Sequence, residues 1–331
     1  MTLPVSPPRC SVLVPTYSAA ALLHECLTAL LADLDGRQDV EVVVSDDGST
    51  DDTPAVLSAF APDVRVVRSE ENRGFARACN AAAAAALGDL LLFYNNDLVP
   101  HPGWLDELLR YADRTPAAAV IGSKLLFPDG RVQHAGVVMC SDGYPRHVYA
   151  GFPAGAEVTN RSGPVRIVTG ACLVTPASWF RELGGFDQRY RNGYEDVDYC
   201  LRAAEAGGEV HYCHRSVLTH LVSASREHRL AEFVETEREF LRRWGRLPAD
   251  DFARYVDDGL IRVNYNRTFP FQLDISPMLA AVNNSGERGT ETVELLSREV
   301  HELRRDNVRL RLRLAELNRV TPESGRAANP A

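Results

Sequence analysis

The chain has 331 residues, enough for one large α/β domain with an appendage or for two domains, and its 45% apolar content can supply a sizeable core. A formal net charge of -9 argues against a general nucleic-acid-binding surface, which is basic, and means that bound phosphate needs local compensation such as a metal ion. Seven dispersed cysteines without a C-x-x-C pair indicate neither a zinc site nor a disulfide framework. The N-terminal MTLPVSPPRC has no apolar leader core, and no run of about 18 apolar residues occurs, so the expectation is a cytoplasmic protein, with a peripheral position at the inner face of a membrane left open.

After a Pro-rich tail, residues 11–14 read as a first strand with Pro15-Thr16-Tyr17-Ser18 as its exit loop. A helix is expected over 19–34, where Leu22, Leu23, Cys26, Leu27, Leu30 and Leu31 recur at helical spacing. A second strand over 41–45 ends in SDDGSTDD, in which Ser49 or Thr50 can cap a helix beginning near Asp51. A strand over 64–68 and an alanine-rich helix over 74–87 follow. Next comes DLLLFYNNDL at 89–98, whose short apolar run suits a strand buried on both faces, as in a parallel sheet. Asn95, Asn96 and Asp97 then stand at the carboxyl end of that strand, where open α/β sheets bind ligands. Their oxygens suit a divalent cation that itself holds phosphate, or equally a turn ahead of Pro100 and Pro102.

Further on, a helix is expected over 104–111 and strands over 120–127 and 132–139 around the Pro128-Asp129-Gly130 turn, after which residues 165–168 lead to Thr169-Gly170-Ala171 and a mixed segment to Asp187. In YRNGYEDVDYCLRAAEAGG, Val197, Cys200, Leu201 and Ala204 share a face and two glycines supply the stop, so a helix begins near Glu195. Residues 209–214 are strand-like, and 227–244 form an amphipathic helix that buries Phe233, Phe240, Leu241 and Trp244. This alternation of strand and helix indicates a right-handed βαβ build around a parallel sheet. Residues 268–286, with Pro270, Pro277 and Asn283-Asn284-Ser285-Gly286, read as a linker. Beyond it Val293, Val300, Asn307 and Leu314 recur every seven residues, as do Leu296, Leu303, Leu310 and Leu317. These are the a and d positions of a coiled coil, with Asn307 fixing a two-stranded register and Glu299–Arg304 and Asp306–Arg311 matched across a parallel pair. Leu295, Val308 and Leu312 lie off that seam and keep open a single amphipathic helix packed on its own domain. The expected division is a tail over 1–9, a catalytic domain over 10–266, a linker over 267–286, a coiled coil over 287–319 and a tail over 320–331.

Four pieces fall at sheet ends: VPTYSA at 14–19, SDDGSTDD at 45–52, YNNDL at 94–98, and GYEDVDYCLR at 193–202 followed by Thr219-His220. In this order and at these separations, over about residues 11–244, they resemble glycosyltransferase family 2, nucleotide-sugar enzymes of GT-A fold, and in particular its rhamnosyltransferase-like branch. NRGFARACN at 72–80, QHAGVV at 133–138 and TGACLVTPASWFRELGGFD at 169–187 also fit that branch.

The resemblance implies a GT-A, Rossmann-like domain that moves a sugar, rhamnose or another hexose, from a nucleotide-diphosphate donor to an acceptor hydroxyl with inversion. The acceptor would be a carbohydrate, a lipid-linked molecule or a small molecule. Pro15, Thr16 and Tyr17 would border the nucleotide, Asp47 would contact the base with Asp46 nearby, and Asn95, Asn96 and Gly170 would belong to the same site. A carboxylate can accept the N3–H of uracil or thymine, although these acids also suit a solvated helix cap. Asp97 matches the metal-binding acid of a D-x-D-type motif whose first position is Asn95 here, and the lost negative ligand implies that Mn2+ or Mg2+ enters together with the nucleotide. His220 matches a histidine that completes the coordination in some members. Asp196, the second acid of the Glu195-Asp196 pair, matches the general base that a hydroxyl nucleophile needs, with Glu195 orienting Asp196 or the acceptor. Both acids also suit a charged first helical turn. A sugar nucleotidyltransferase is the rival enzyme, disfavoured because VPTYSAA has no glycine for a phosphate loop. Outside enzymes, the rival is an idle scaffold whose coiled coil is the working part. A homodimer through residues 291–318 completes the expectations.

Overall fold

The structure, a computed structural model, describes residues 7–221, 230–245, 247–265 and 272–285. The wholly buried β1 (Cys10–Thr16) feeds α1 (Ala20–Asp33), which turns Leu23, Cys26, Leu27 and Leu30 inward. The alternation continues through β2 (Val40–Asp46), α2 (Thr53–Ala59), β3 (Val64–Arg68), α3 (Phe75–Ala85) and β4 (Leu90–Tyr94). Then come β5 (Leu98–Pro100), α4 (Trp104–Arg114), β6 (Ala118–Leu126), β7 (Val132–His134), β8 (Val137–Met139), β9 (Pro145–His147) and β10 (Gly163–Pro164). The chain proceeds through β11 (Cys172–Pro176), α5 (Ala177–Glu182), α6 (Glu195–Glu205), β12 (Glu209–His220) and α7 (Leu230–Trp244). It continues with α8 (Asp251–Asp257), the hairpin strands β13 (Ile261–Asn264) and β14 (Gln272–Ile275), and α9 (Pro277–Ser285). Two units result, 1–276 and 277–331, and α9 is the described element of the second.

Along the main sheet the strand order is β10-β12-β6-β11-β4-β1-β2-β3. β1 pairs in parallel with β2 and β4, and β2 with β3, as the βαβ reading expects. β11 instead runs antiparallel to both of its neighbours, β4 and β6, so the sheet is mixed rather than parallel. A short apolar strand reads alike in either direction, and composition does not reveal its polarity. Because β12 is parallel to β6, one edge of the sheet gathers the carboxyl ends of β1, β2, β4 and β12 and the amino end of β11. That edge is where motifs far apart in sequence meet.

β4 is buried on both faces: Leu92 and Tyr94 join α1 and α4 in one core, while Leu91 and Phe93 join α3 and α6 in the other. Period-two alternation thus welds two apolar layers to a single strand. In α7, Phe240 and Trp244 are buried with Leu241 packed beside them, while the side chain of Phe233 lies outside the described residues.

Several local expectations are corrected. The strand expected over 132–139 is split at Gly136 (φ +109°), and an isolated bridge joins Val137 to Ile167. α2 begins at Thr53, and Asp51 rather than Ser49 or Thr50 serves its start. One Asp51 oxygen accepts from the N–H of Thr53 at 3.1 Å and the other from that of Ala20 at 3.0 Å, tying together the origins of α1 and α2. The expected linker holds β14, paired with β13 from Ile261↔Ile275 to Asn264↔Gln272, and α9, so the expected boundary at 266 cuts through a hairpin. The coiled-coil segment at 287–319 and the tail at 320–331 lie outside the described residues.

Candidate active site

Pro15, Thr16 and Tyr17 leave β1, Asp47 leaves β2, and Asn95, Asn96 and Asp97 leave β4, and all seven line one cleft at the gathered edge. The cleft's other wall includes Asn72, Gly74, Phe75 and Asn192, which sequence reasoning did not assign. Asn96 Nδ2 donates to Thr16 Oγ1 at 3.0 Å, joining the β1 and β4 loops. The buried Asp47 carboxylate accepts from the N–H groups of Arg73 (3.0 Å) and Gly74 (2.8 Å), fixing the approach to α3. Gly74 has φ +94°, and a Cβ there would lie 2.7 Å from the carbonyl oxygen of Arg191, so glycine allows the 191–192 segment to close on α3. Asn192 Oδ1 accepts from the Phe75 N–H at 3.2 Å, and Arg191 donates to the Asn72 backbone carbonyl at 3.1 Å.

Asp46, next to Asp47 in the chain, does not itself line the cleft. Its fully buried carboxylate accepts from the Ser49 N–H at 2.9 Å and pairs with Arg68 at 2.8 Å. Successive residues at a strand end point to opposite faces, which separates Asp46 from Asp47.

β12 ends beside β5, pairing His220 with Leu98 and bringing the imidazole to Asp97. His220 Nε2 lies 3.0 Å from Asp97 Oδ1, and His220 Nδ1 lies 2.7 Å from Gln133 Oε1. Among the described residues no group of three or more His, Cys, Asp or Glu side chains is arranged to hold a metal ion. The Asp97–His220 pair by itself fits two adjacent ligands of one octahedral ion, for which bonds of about 2.1 Å put cis ligands about 3.0 Å apart. His134 is buried nearby, and burial, with His147 and His220 adding to it, pushes its basicity well below the ordinary histidine range. That shift disfavours the charged form of His134 beside the pair.

Glu195 and Asp196 open α6 just after Gly193 and Tyr194, both at positive φ. Asp196 Oδ2 accepts from the Gly170 N–H at 2.6 Å and Oδ1 from the Val197 N–H at 2.8 Å. Gly170 thus holds Asp196 and does not itself line the cleft, and a Cβ on it would come 3.0 Å from the Asp196 Cβ. The next residue, Ala171, accepts the Asn95 N–H at 2.9 Å, so the loop that grips Asp196 also grips the β4 exit. Glu195 is buried, and its Oε2 has no hydrogen-bond partner among the described residues. Burial pushes the Glu195 carboxyl up, with the Asp196 charge adding to it. Burial also raises Asp196, against which the Gly170 and Val197 N–H groups favour its charged form. Glu195, Asp196 and His220 do not line the cleft themselves, but Asp97, which touches His220, and Asn192, just ahead of α6, do. Asp198 faces away: fully buried, it pairs with Arg202 at 2.6 Å and accepts from Trp244 Nε1 at 2.9 Å, anchoring α6 to α7.

Residues 11–172 match the family model described as glycosyl transferase family 2. The chain is 36% identical over 228 residues to the O-antigen biosynthesis protein RfbC of Myxococcus xanthus, a match covering 66% of this chain and 18% of that protein. It is 30% identical over 218 residues to the N-acetylglucosaminyl-diphospho-decaprenol L-rhamnosyltransferase of Mycobacterium tuberculosis, covering 59% of this chain and 70% of that one. The chain belongs to glycosyltransferase family 2. This family 2 chain spans only 18% of the length of RfbC and 28% of that of an uncharacterized protein of Sinorhizobium fredii to which it is 32% identical. Two solved glycosyltransferases share its fold. They are GalNAc-T7 with UDP, GalNAc and Mn2+ (TM-score 0.57, 15% identity, 71% of this chain and 48% of that chain) and the mannosyltransferase PcManGT from Pyrobaculum calidifontis with GDP-Man and Mn2+ (TM-score 0.52, 21% identity, 91% and 81%). The architecture of the family 2 domain is therefore the GT-A fold of mixed α/β sheet. The family model's match ends before Glu195, so the placing of α6 and His220 at this edge comes from the structure. No helix among the described residues is long and apolar enough to cross a membrane.

Proposed function

We propose that this family 2 domain transfers a sugar, rhamnose or another hexose, from a nucleotide diphosphate to an acceptor hydroxyl, with inversion and with Asp196 as general base. The observation that carries the reading is the meeting, at one sheet edge, of a cleft lined by Asp47 and Asn95–Asp97, a facing Asp97–His220 pair, and an acid pair hung from the adjoining loop. Asp47 spends acceptor capacity on two backbone N–H groups, and a carboxylate has about four lone-pair sites, which leaves room for the N3–H of uracil or thymine. Asp97 and His220 would hold Mn2+ or Mg2+, the Mn2+ found with both structural neighbours being the precedent. When bound, such an ion supplies positive charge against the diphosphate that leaves. Asp196 takes the hydroxyl proton as the oxygen attacks the anomeric carbon from the face opposite the leaving group. Glu195, neutral because it is buried without a partner for Oε2, leaves the negative charge on Asp196.

The mycobacterial relative is named for a decaprenol-linked acceptor, and a lipid-linked or carbohydrate acceptor, with the enzyme cytoplasmic and peripheral at the inner membrane face, is our reading for this chain. Residues 291–318 would pair in parallel and make it a homodimer. The test is a thermal-shift panel of dTDP-, UDP- and GDP-sugars with and without Mn2+, because a ligand that binds the native state raises its melting temperature. A metal-dependent rise with at least one sugar nucleotide is expected, and the absence of any rise across the panel refutes the proposal.

A further inference from the structure

The QHAGVV motif enters none of the steps above, although its first residue touches the cleft's metal-side pair. Gln133 sits in β7, only 9% exposed, on a strand paired with β6 and braced by hydrogen bonds from the Val132 N–H to the Phe152 carbonyl and from the Gly151 N–H to the Val132 carbonyl. Its Oε1 is 2.7 Å from His220 Nδ1. A neutral imidazole carries one N–H, and an amide oxygen can only accept, so this contact places the hydrogen on Nδ1. Nε2 is then a bare lone pair facing Asp97 Oδ1 at 3.0 Å. An imidazolium would instead donate to both oxygens, whereas in the neutral ring a cation between the two facing lone pairs reconciles them, and the backbone that carries Gln133 is held by its strand pairing.

We infer that Gln133 is a positioning residue for His220, its side-chain oxygen selecting the imidazole form in which Nε2 presents a lone pair beside Asp97. The inference rests on the reading that Asp97 and His220 hold a divalent ion. With the Gln133 amide turned the other way, its NH2 would donate to Nδ1, Nε2–H would bond to Asp97, and no nitrogen would be free for the ion. The two arrangements respond oppositely to a carboxylate at position 133, which accepts but cannot donate.

The experiment measures Mn2+ affinity calorimetrically in the full-length chain, saturated with whichever of UDP, dTDP or GDP raises its melting temperature most. Gln133→Met, close in shape but without an acceptor oxygen, is expected to weaken Mn2+ binding about 10- to 100-fold, the usual scale for losing a ligand's hydrogen-bonded support, with metal-free nucleotide affinity unchanged. Gln133→Glu is expected to keep parental Mn2+ affinity, and it decides the matter even if the Met variant does not fold. Mn2+ binding that is lost or clearly strengthened in Gln133→Glu, or parental in Gln133→Met, overturns the inference. His220→Ala separates the two levels: full Mn2+ affinity there removes the underlying metal reading, whereas weakened binding there with parental binding in Gln133→Met removes only the role of Gln133.

Discussion

Two backbone N–H groups, from Gly170 and Val197, end on Asp196, whereas Glu195 keeps a buried oxygen with no partner among the described residues. That asymmetry favours the charged form on Asp196 over Glu195, although composition alone would treat them as equals. Asp196→Asn is expected to lower transfer at least about a hundredfold while calorimetric donor affinity stays near parental, and an active Asn variant would remove Asp196 from the role. Because burial raises Asp196, the acid limb of the rate profile should fall above the ordinary aspartate value of 3.8. For Glu195 the folded state holds its proton to higher pH than the unfolded chain does, so stability falls as pH rises from the ordinary carboxylate range towards the raised value. Glu195→Gln should flatten that slope, measured as unfolding free energy against pH, and an unchanged slope would mean that Glu195 is charged in the native state. At this scale Asp47, Asp97 and His220 were legible as acids and a histidine at predicted strand ends. Asp46 was not, since which of two adjacent acids faces the cleft depends on the strand's rotation. The contact of Gly170 with Asp196 was not legible because the two lie on separate elements.

Among the elements, β1 to β4 and their helices were readable because apolar runs, turn residues and helical spacing agree there. The reversal of β11 was not, since CLVTP packs as well in either direction and its polarity is decided by pairing with Tyr94 to Leu90 and with Gly122 and Ile121. The pairing of β13 with β14 was lost to Pro270 and Pro277, which flank β14 in sequence and read as breakers. The joint between α6 and α7 was also hidden, because it depends on Asp198, an acid among acids in GYEDVD. Asp198→Ala leaves Arg202 and Trp244 Nε1 without their buried acceptor and should cost about 3–5 kcal/mol by urea denaturation. A loss of under about 1 kcal/mol, the scale of an exposed pair, would show that the joint does not hold α6 in place.

For the molecule as a whole, the heptads of residues 291–318 should govern assembly, with the apolar seam supplying most of the affinity and the charged pairs little. The full chain should be a dimer by light scattering, and a chain cut after Gly286 a monomer. A monomeric full chain or a dimeric truncated one contradicts the assembly. The central claim, that the cleft at the gathered sheet edge carries out metal-assisted transfer from a sugar nucleotide, is tested most directly by release of nucleoside diphosphate from dTDP-, UDP- and GDP-sugars, with Mn2+ and after chelation. The account predicts turnover of at least one donor that is lost on chelation, restored when Mn2+ is returned, and absent in Asp97→Ala at any Mn2+ concentration. Turnover that persists undiminished after complete removal of metal would contradict it.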